Sequence, residues 1–163
     1  MFGFDENTKG SDFTRLPNLP AGCDVVVLMT EAKDSKGVKG HYAIFEGVVS
    51  EITKGSGVAV GEKIKVKMVK LDDSRRIKAG MNYAHAEVID FLEALNGEKF
   101  PKGEVAARTK EICDNIRGMA VRARAETATS TEGEAYVSRT FAPVKQTAED
   151  YTKQLKRLEE LGH

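Results

Sequence analysis

The chain has 163 residues, with 25 Lys and Arg against 25 Asp and Glu, so bulk charge announces no nucleic-acid partner and any basic surface must come from local segregation. Its 40% apolar and 31% charged residues are the composition of one ordinary globular domain, long enough to bury a core without staples. Two cysteines form neither a disulfide framework nor a metal spacing. The longest apolar run, Val25 to Met29, is too short for a bilayer, and no basic segment leads into an apolar one at the N-terminus, so a cytoplasmic protein with reduced thiols and no membrane partner is expected.

Residues 1–22 read as an irregular arm, rich in Gly, Pro, Asn and Asp, whose Phe2, Phe4 and Phe13 pin it to the core or to a second subunit. Asp24 to Ala32 is a β-branched run that predicts a strand, Lys33 to Gly40 a hairpin loop, and His41 to Thr53 a second, long strand with a bulge or bend at Gly47. After the flexible turn Lys54 to Gly61, Glu62 to Lys70 alternates: Lys63, Lys65 and Lys67 fall on one face, Ile64, Val66 and Met68 on the other. From Met81 the period changes. Met81, Ala84, Val88, Phe91 or Leu92, and Leu95 predict a helix over 81–96 stopped by Gly97; a second helix is predicted over 104–117, stopped by Gly118.

Alternation returns over 119–127, with Val121, Ala123 and Ala125 opposite Arg122 and Arg124, and again over 134–143, with Val137 and Phe141 opposite Tyr136, Ser138 and Thr140. Thr147 and Asp150 fit a capping pair for a last helix carrying the narrow stripe Tyr151, Leu155, Leu158 and Leu161. That stripe either docks on the chain's own domain as a lid or pairs with another chain. Three strands, a helical insertion between the third and fourth, two more strands and a C-terminal helix is the element order of an α+β protein built on a five-stranded, OB-like Greek-key barrel. The domain spans 23–144, with 145–163 appended.

The segment Asn18 to Gly22 before the first strand, the loop Lys36-Gly37-Val38-Lys39-Gly40 leading to Tyr42 and Phe45, the turn Gly57 to Glu62 and the helix Val88 to Gly97 together resemble phage-type single-stranded-DNA-binding proteins with an OB-fold. The resemblance covers roughly 16–144. It implies a non-catalytic protein that coats single-stranded DNA in replication or recombination. Such proteins often recruit partners through an acidic tail, whereas this chain ends with Glu159-Glu160-Leu161-Gly162-His163.

The residues themselves carry part of that expectation. Glu62 to Lys78 holds seven basic residues against three acidic ones, a local excess in a neutral chain, and a basic strand running into a basic loop can track a phosphate backbone. The bland reading is an edge strand whose lysines discourage edge-to-edge pairing. The candidate contacts are Lys63, Lys65, Lys67 and Lys70 on the third strand, Arg75, Arg76 and Lys78 after it, Arg122 and Arg124 on the fourth, and Lys36, Lys39 and His41 around the first hairpin. Tyr42, Phe45 and Tyr136 are the candidate stacking rings, with Tyr42 and Phe45 equally placed to be core.

For an enzyme little survives. Asp72-Asp73 reads as a turn, His85 and Glu87 fall on different helix faces, and Lys54-Gly55-Ser56-Gly57 has the letters of a phosphate loop in the wrong order. No cofactor or metal is expected. The partners expected are single-stranded DNA, replication or recombination proteins and, through the terminal helix, a sister subunit. The rival reading is a small β-barrel interaction module, structural or inhibitory, that docks through the N-terminal arm and the C-terminal helix.

Overall fold

The structure, a computed structural model, describes residues 16–163. The expected roles of Phe2, Phe4 and Phe13 fall outside that range. The elements, in chain order, are β1 (Asp24–Gly37), β2 (Gly40–Lys54), β3 (Lys63–Lys70), a 3₁₀ turn (Ser74–Arg76), a short hairpin of β4 (Ile77–Lys78) and β5 (Met81–Asn82), α1 (Tyr83–Asn96), α2 (Val105–Asp114), β6 (Ala120–Thr129), β7 (Ala135–Pro143) and α3 (Ala148–Glu160).

The five long strands make one antiparallel sheet in the order β3-β2-β1-β6-β7. Read from β6 to β3, this is the spatial order of a Greek key. The sheet does not close into a barrel, which corrects the expectation of one. Instead the edges are bridged by the chain itself: Lys65 N on β3 donates to Pro17 O at 2.8 Å, and Arg139 on β7 donates to Leu19 O at 3.0 Å.

Two further corrections concern the strands. β1 and β2 run to a two-residue turn at Val38-Lys39, with Gly37 opposite Gly40, where a longer loop was predicted. Residues 33–37 are polar on both faces, so they carry no periodicity, yet ladder hydrogen bonds do not need it. The bend at Gly47 is present, and bulges flank it. Thr30 has no register partner in β2, its hydroxyl donating instead to Glu46 O at 3.2 Å, and Val66 has no register partner either, since Phe45 faces Lys67 while Glu46 faces Lys65. A Cβ at Gly47 would lie 2.5 Å from Val27 Cγ1, so only glycine fits.

The bulge at Val66 breaks the predicted alternation. A one-residue slip moves every later side chain to the other face. Lys67 therefore sits on the face of Phe45, while Met68 turns outward and Val69 is buried.

On the inner face, Val25, Val27, Phe45, Val49, Ile64, Val121 and Ala123 pack under Phe91, Leu92 and Leu95 of α1 and Ile112 of α2. Phe91 is the hub, its ring centroid 4.7 Å from Phe45 and 4.9 Å from Phe141. The predicted start of α1 at Met81 shifts to Tyr83, because the Asn82 side chain accepts from Ala84 N and His85 N and caps the helix, which leaves Met81 exposed in the hairpin. Gly97 ends α1 with a positive φ of 84°, as predicted.

On the opposite face α3 covers Leu28, Val48 and Ala120 with Leu158, which is fully buried, and with Leu161. Thr147 and Asp150 form the predicted capping box. Tyr151 Oη donates to Arg117 O at 2.9 Å, and Leu155 lies against Gly118, whose positive φ and lack of a side chain let the helix approach. The apolar stripe of α3 is thus spent inside the molecule, the first of the two readings left open by the sequence. No helix among the described residues is long and apolar enough to cross a membrane.

Candidate nucleic-acid interface

The candidate residues divide into three groups. The first gathers at the turn end of the β1–β2 ribbon. Lys36 pairs with His41 across the hairpin, Tyr42 pairs with Lys70 of β3, and Tyr42 Oη donates to Lys39 O at 3.4 Å. Lys70 therefore stands beside the half-exposed Tyr42 ring on one face of the ribbon, Lys36 projects with His41 from the opposite face, and Lys39 lies in the turn between them. None of these lysines forms an ion pair among the described residues, though His41 binds Asp34. The turn after β3 is tied to the same place: His41 N donates to Asp72 Oδ1 at 3.1 Å, and Asp73 caps the 3₁₀ turn by accepting from Arg75 N. Asp72 and Asp73 hold a turn, as the sequence suggests. Lys78 lies beyond, exposed, in the β4–β5 hairpin beside the exposed Ile77, Met81 and Tyr83.

The second group is neutralised. Arg75 binds Asp73 with both Nε and a terminal nitrogen, and Arg76 donates to Glu87 at 2.6 Å. Lys67 donates to the other Glu87 oxygen at 2.7 Å and lies 5.4 Å above the Phe141 ring. Burial pushes the Glu87 carboxyl up, and the two cationic donors more than offset this, so its pKa is lowered. Lys63 lies 3.7 Å from Glu46, which also accepts from Lys33 at 3.1 Å. Lys65 is buried.

The third group is remote. Arg122 and Arg124 both bind Asp24 at the start of β1, and Asp24 is held at about 2, first by the Arg122 hydrogen bonds. From Asp24 to Lys36 along β1 is roughly 40 Å at ~3.3 Å per residue. The structure does not bring Arg122 and Arg124 to Tyr42, and the continuous positive trough expected from the sequence is broken between them. Phe45 is buried in the core, which settles its ambiguity. Tyr136 is half-exposed at the free edge of β7.

The facing edges of β3 and β7 enclose a polar cleft of about 420 Å³, lined by Asn18, Lys65, Lys67, Met68, Tyr136 and Arg139, with Glu87 also at its wall. Arg139 is a cleft residue that periodicity does not reveal, because its neighbours on β3 are distant in sequence. A second cavity, of about 530 Å³ and largely apolar, lies between the β1–β2 ribbon and the helices α1 and α2, with Cys113 on its wall. Among the described residues no group of three or more His, Cys, Asp and Glu side chains converges as a metal site. Compared with models of protein families and with curated proteins, the chain matches none of either.

Proposed function

We propose that this protein binds single-stranded DNA without catalysis, in replication or recombination, on a partly open Greek-key barrel of the OB type. The observation that carries the reading is the group Lys36, Lys39 and Lys70 gathered at the turn end of the β1–β2 ribbon, with Lys70 beside the Tyr42 ring, three exposed cations that form no ion pair among the described residues. Lysines in that state can exchange condensed counterions for phosphates, while an accessible ring offers a stacking surface to any base. The Greek-key order of β6, β1, β2 and β3, with the free edges of β3 and β7 facing one another across a cleft, supports an OB-type arrangement that stays open. The contact surface is narrower than the full run of basic residues, since Lys63, Lys67, Arg75, Arg76, Arg122 and Arg124 already serve acidic partners.

A second reading, a protein-interaction module, is favoured by one observation: Ile77, Met81 and Tyr83 stand exposed on the β4–β5 hairpin. In this form it docks through the hairpin, because the stripe of α3 is covered. A polythymidine titration at low and moderate salt separates the two. Binding that weakens steeply with salt upholds the first reading, and no binding at low salt overturns it.

A further inference from the structure

Arg139 lies on the inner face of β7, opposite Ala125 of β6. Its Nε and one terminal nitrogen donate to Leu19 O at 3.3 and 3.0 Å. Both bonds go to a neutral acceptor, and the other terminal nitrogen has no partner among the described residues. Arg75, Arg76, Arg122 and Arg124 each find a carboxylate; Arg139 finds none. It is nonetheless partly buried, and desolvation pushes its pKa down. A guanidinium withdrawn from water without a counter-charge is costly, and its planar fork is shaped for an oxyanion.

The cleft around it fits such a ligand. Lys65, Lys67 and Arg139 line the cleft against a single carboxylate, Glu87, which Lys67 and Arg76 already share. Its volume of about 420 Å³ falls in the range of small-ligand sites. The half-exposed ring of Tyr136 and the exposed Met68 border the cleft from the opposite face of their strands to Arg139 and Lys67. We propose that the cleft between β3 and β7 is a phosphate seat, in which Arg139 takes a phosphodiester oxyanion and Tyr136 stacks on the adjoining base. The inference rests on the single-stranded DNA reading and adds to it a second contact zone, away from the Tyr42 cluster.

The test is a titration of the full chain with a polythymidine oligomer over a salt series, using the wild type, Arg139→Met, Arg139→Lys and Tyr136→Ala. Thymidine 5′-monophosphate and inorganic phosphate serve as separate probes. Arg139→Met is expected to weaken oligomer binding about 10-fold and to lower the slope of log K against log salt by about 0.7, the share of one phosphate contact on a single strand. Arg139→Lys keeps the slope, and Tyr136→Ala weakens binding about 10-fold with the slope unchanged. A purely structural role through Leu19 would move the melting temperature and leave the slope alone.

Wild-type binding with affinity and slope both intact in Arg139→Met overturns the seat and leaves the broader reading standing. No oligomer binding by the wild type overturns the broader reading. If thymidine 5′-monophosphate or phosphate still binds in an Arg139-dependent way, the seat holds for free phosphates alone. Should Arg139→Met fail to fold, Tyr136→Ala decides, since unchanged oligomer affinity there overturns the seat.

Discussion

Arg122 grips Asp24 with two hydrogen bonds, Nε to Oδ1 at 2.8 Å and a terminal nitrogen to Oδ2 at 2.7 Å, and Arg124 adds another to Oδ2 at 3.1 Å. The pair ties the start of β1 to β6 and occupies two arginines that a sequence reading assigns to DNA. Arg122→Met is expected to lower the midpoint of denaturant unfolding and to leave oligomer affinity within about twofold. The folded-state pKa of Asp24, about 2, lies below its ordinary 3.8. A depressed carboxyl stabilises the fold fully above its unfolded pKa and loses that contribution as pH falls through the folded value. The gap between wild type and Arg122→Met should therefore be widest above about pH 4 and shrink toward pH 2.

Leu158 is fully buried between α3 and the sheet residues Leu28, Val48 and Ala120. Leu158→Ala should lower stability by about 2–5 kcal/mol, as large-to-small core changes do. A melting temperature unchanged in a dilute solution would mean that α3 does not dock on its own sheet.

Ala79 holds a φ of 51° in the tight turn between β4 and β5, followed by Gly80 at 79°. A left-handed alanine is strained, whereas Asn-Gly is the pairing such two-residue hairpins favour. Ala79→Asn is expected to raise stability by about 0.5–1 kcal/mol, read from the unfolding midpoint, with no change in far-ultraviolet circular dichroism.

Lys36, Lys39 and Lys70 are exposed and make no ion pair among the described residues, whereas Lys67 bonds Glu87 and rides over Phe141. Reversing Lys36 and Lys39 to Glu should leave the melting temperature unchanged while lowering the salt slope of oligomer binding by about 1.4. Reversing Lys65 and Lys67, the change that a simple alternating strand would single out, should instead lower the melting temperature, because Lys67→Glu faces Glu87. Equal thermal behaviour of the two variants would contradict this division.

What could be read in the chain follows how local each signal is. The alternation of Val121, Ala123 and Ala125 with Arg122 and Arg124 survives intact, as does the capping box at Thr147 and Asp150, since neither depends on a distant residue. The facing of Lys67 was not legible, because the bulge at Val66 answers to the bend that Gly47 makes in the neighbouring strand. The neutralisation of Arg122 was hidden for another reason. Its partner, Asp24, is near only after β1 and β6 have paired. Arg139 combines both difficulties, sitting in a plausible strand pattern while its cleft is completed by β3.

Cys23 is buried, with its Sγ donating to Ser56 O at 3.3 Å, and Gly55 packs so closely that a side chain there would meet the sulfur at 2.7 Å. Cys113 stands on the wall of the apolar cavity beside α2, only partly covered, its thiol pKa raised by burial. The chain thereby carries two built-in timers for a slow alkylating reagent. Cys113 reports the breathing of α2 away from the ribbon, and Cys23 reacts only when the strand that begins beside it peels from the sheet.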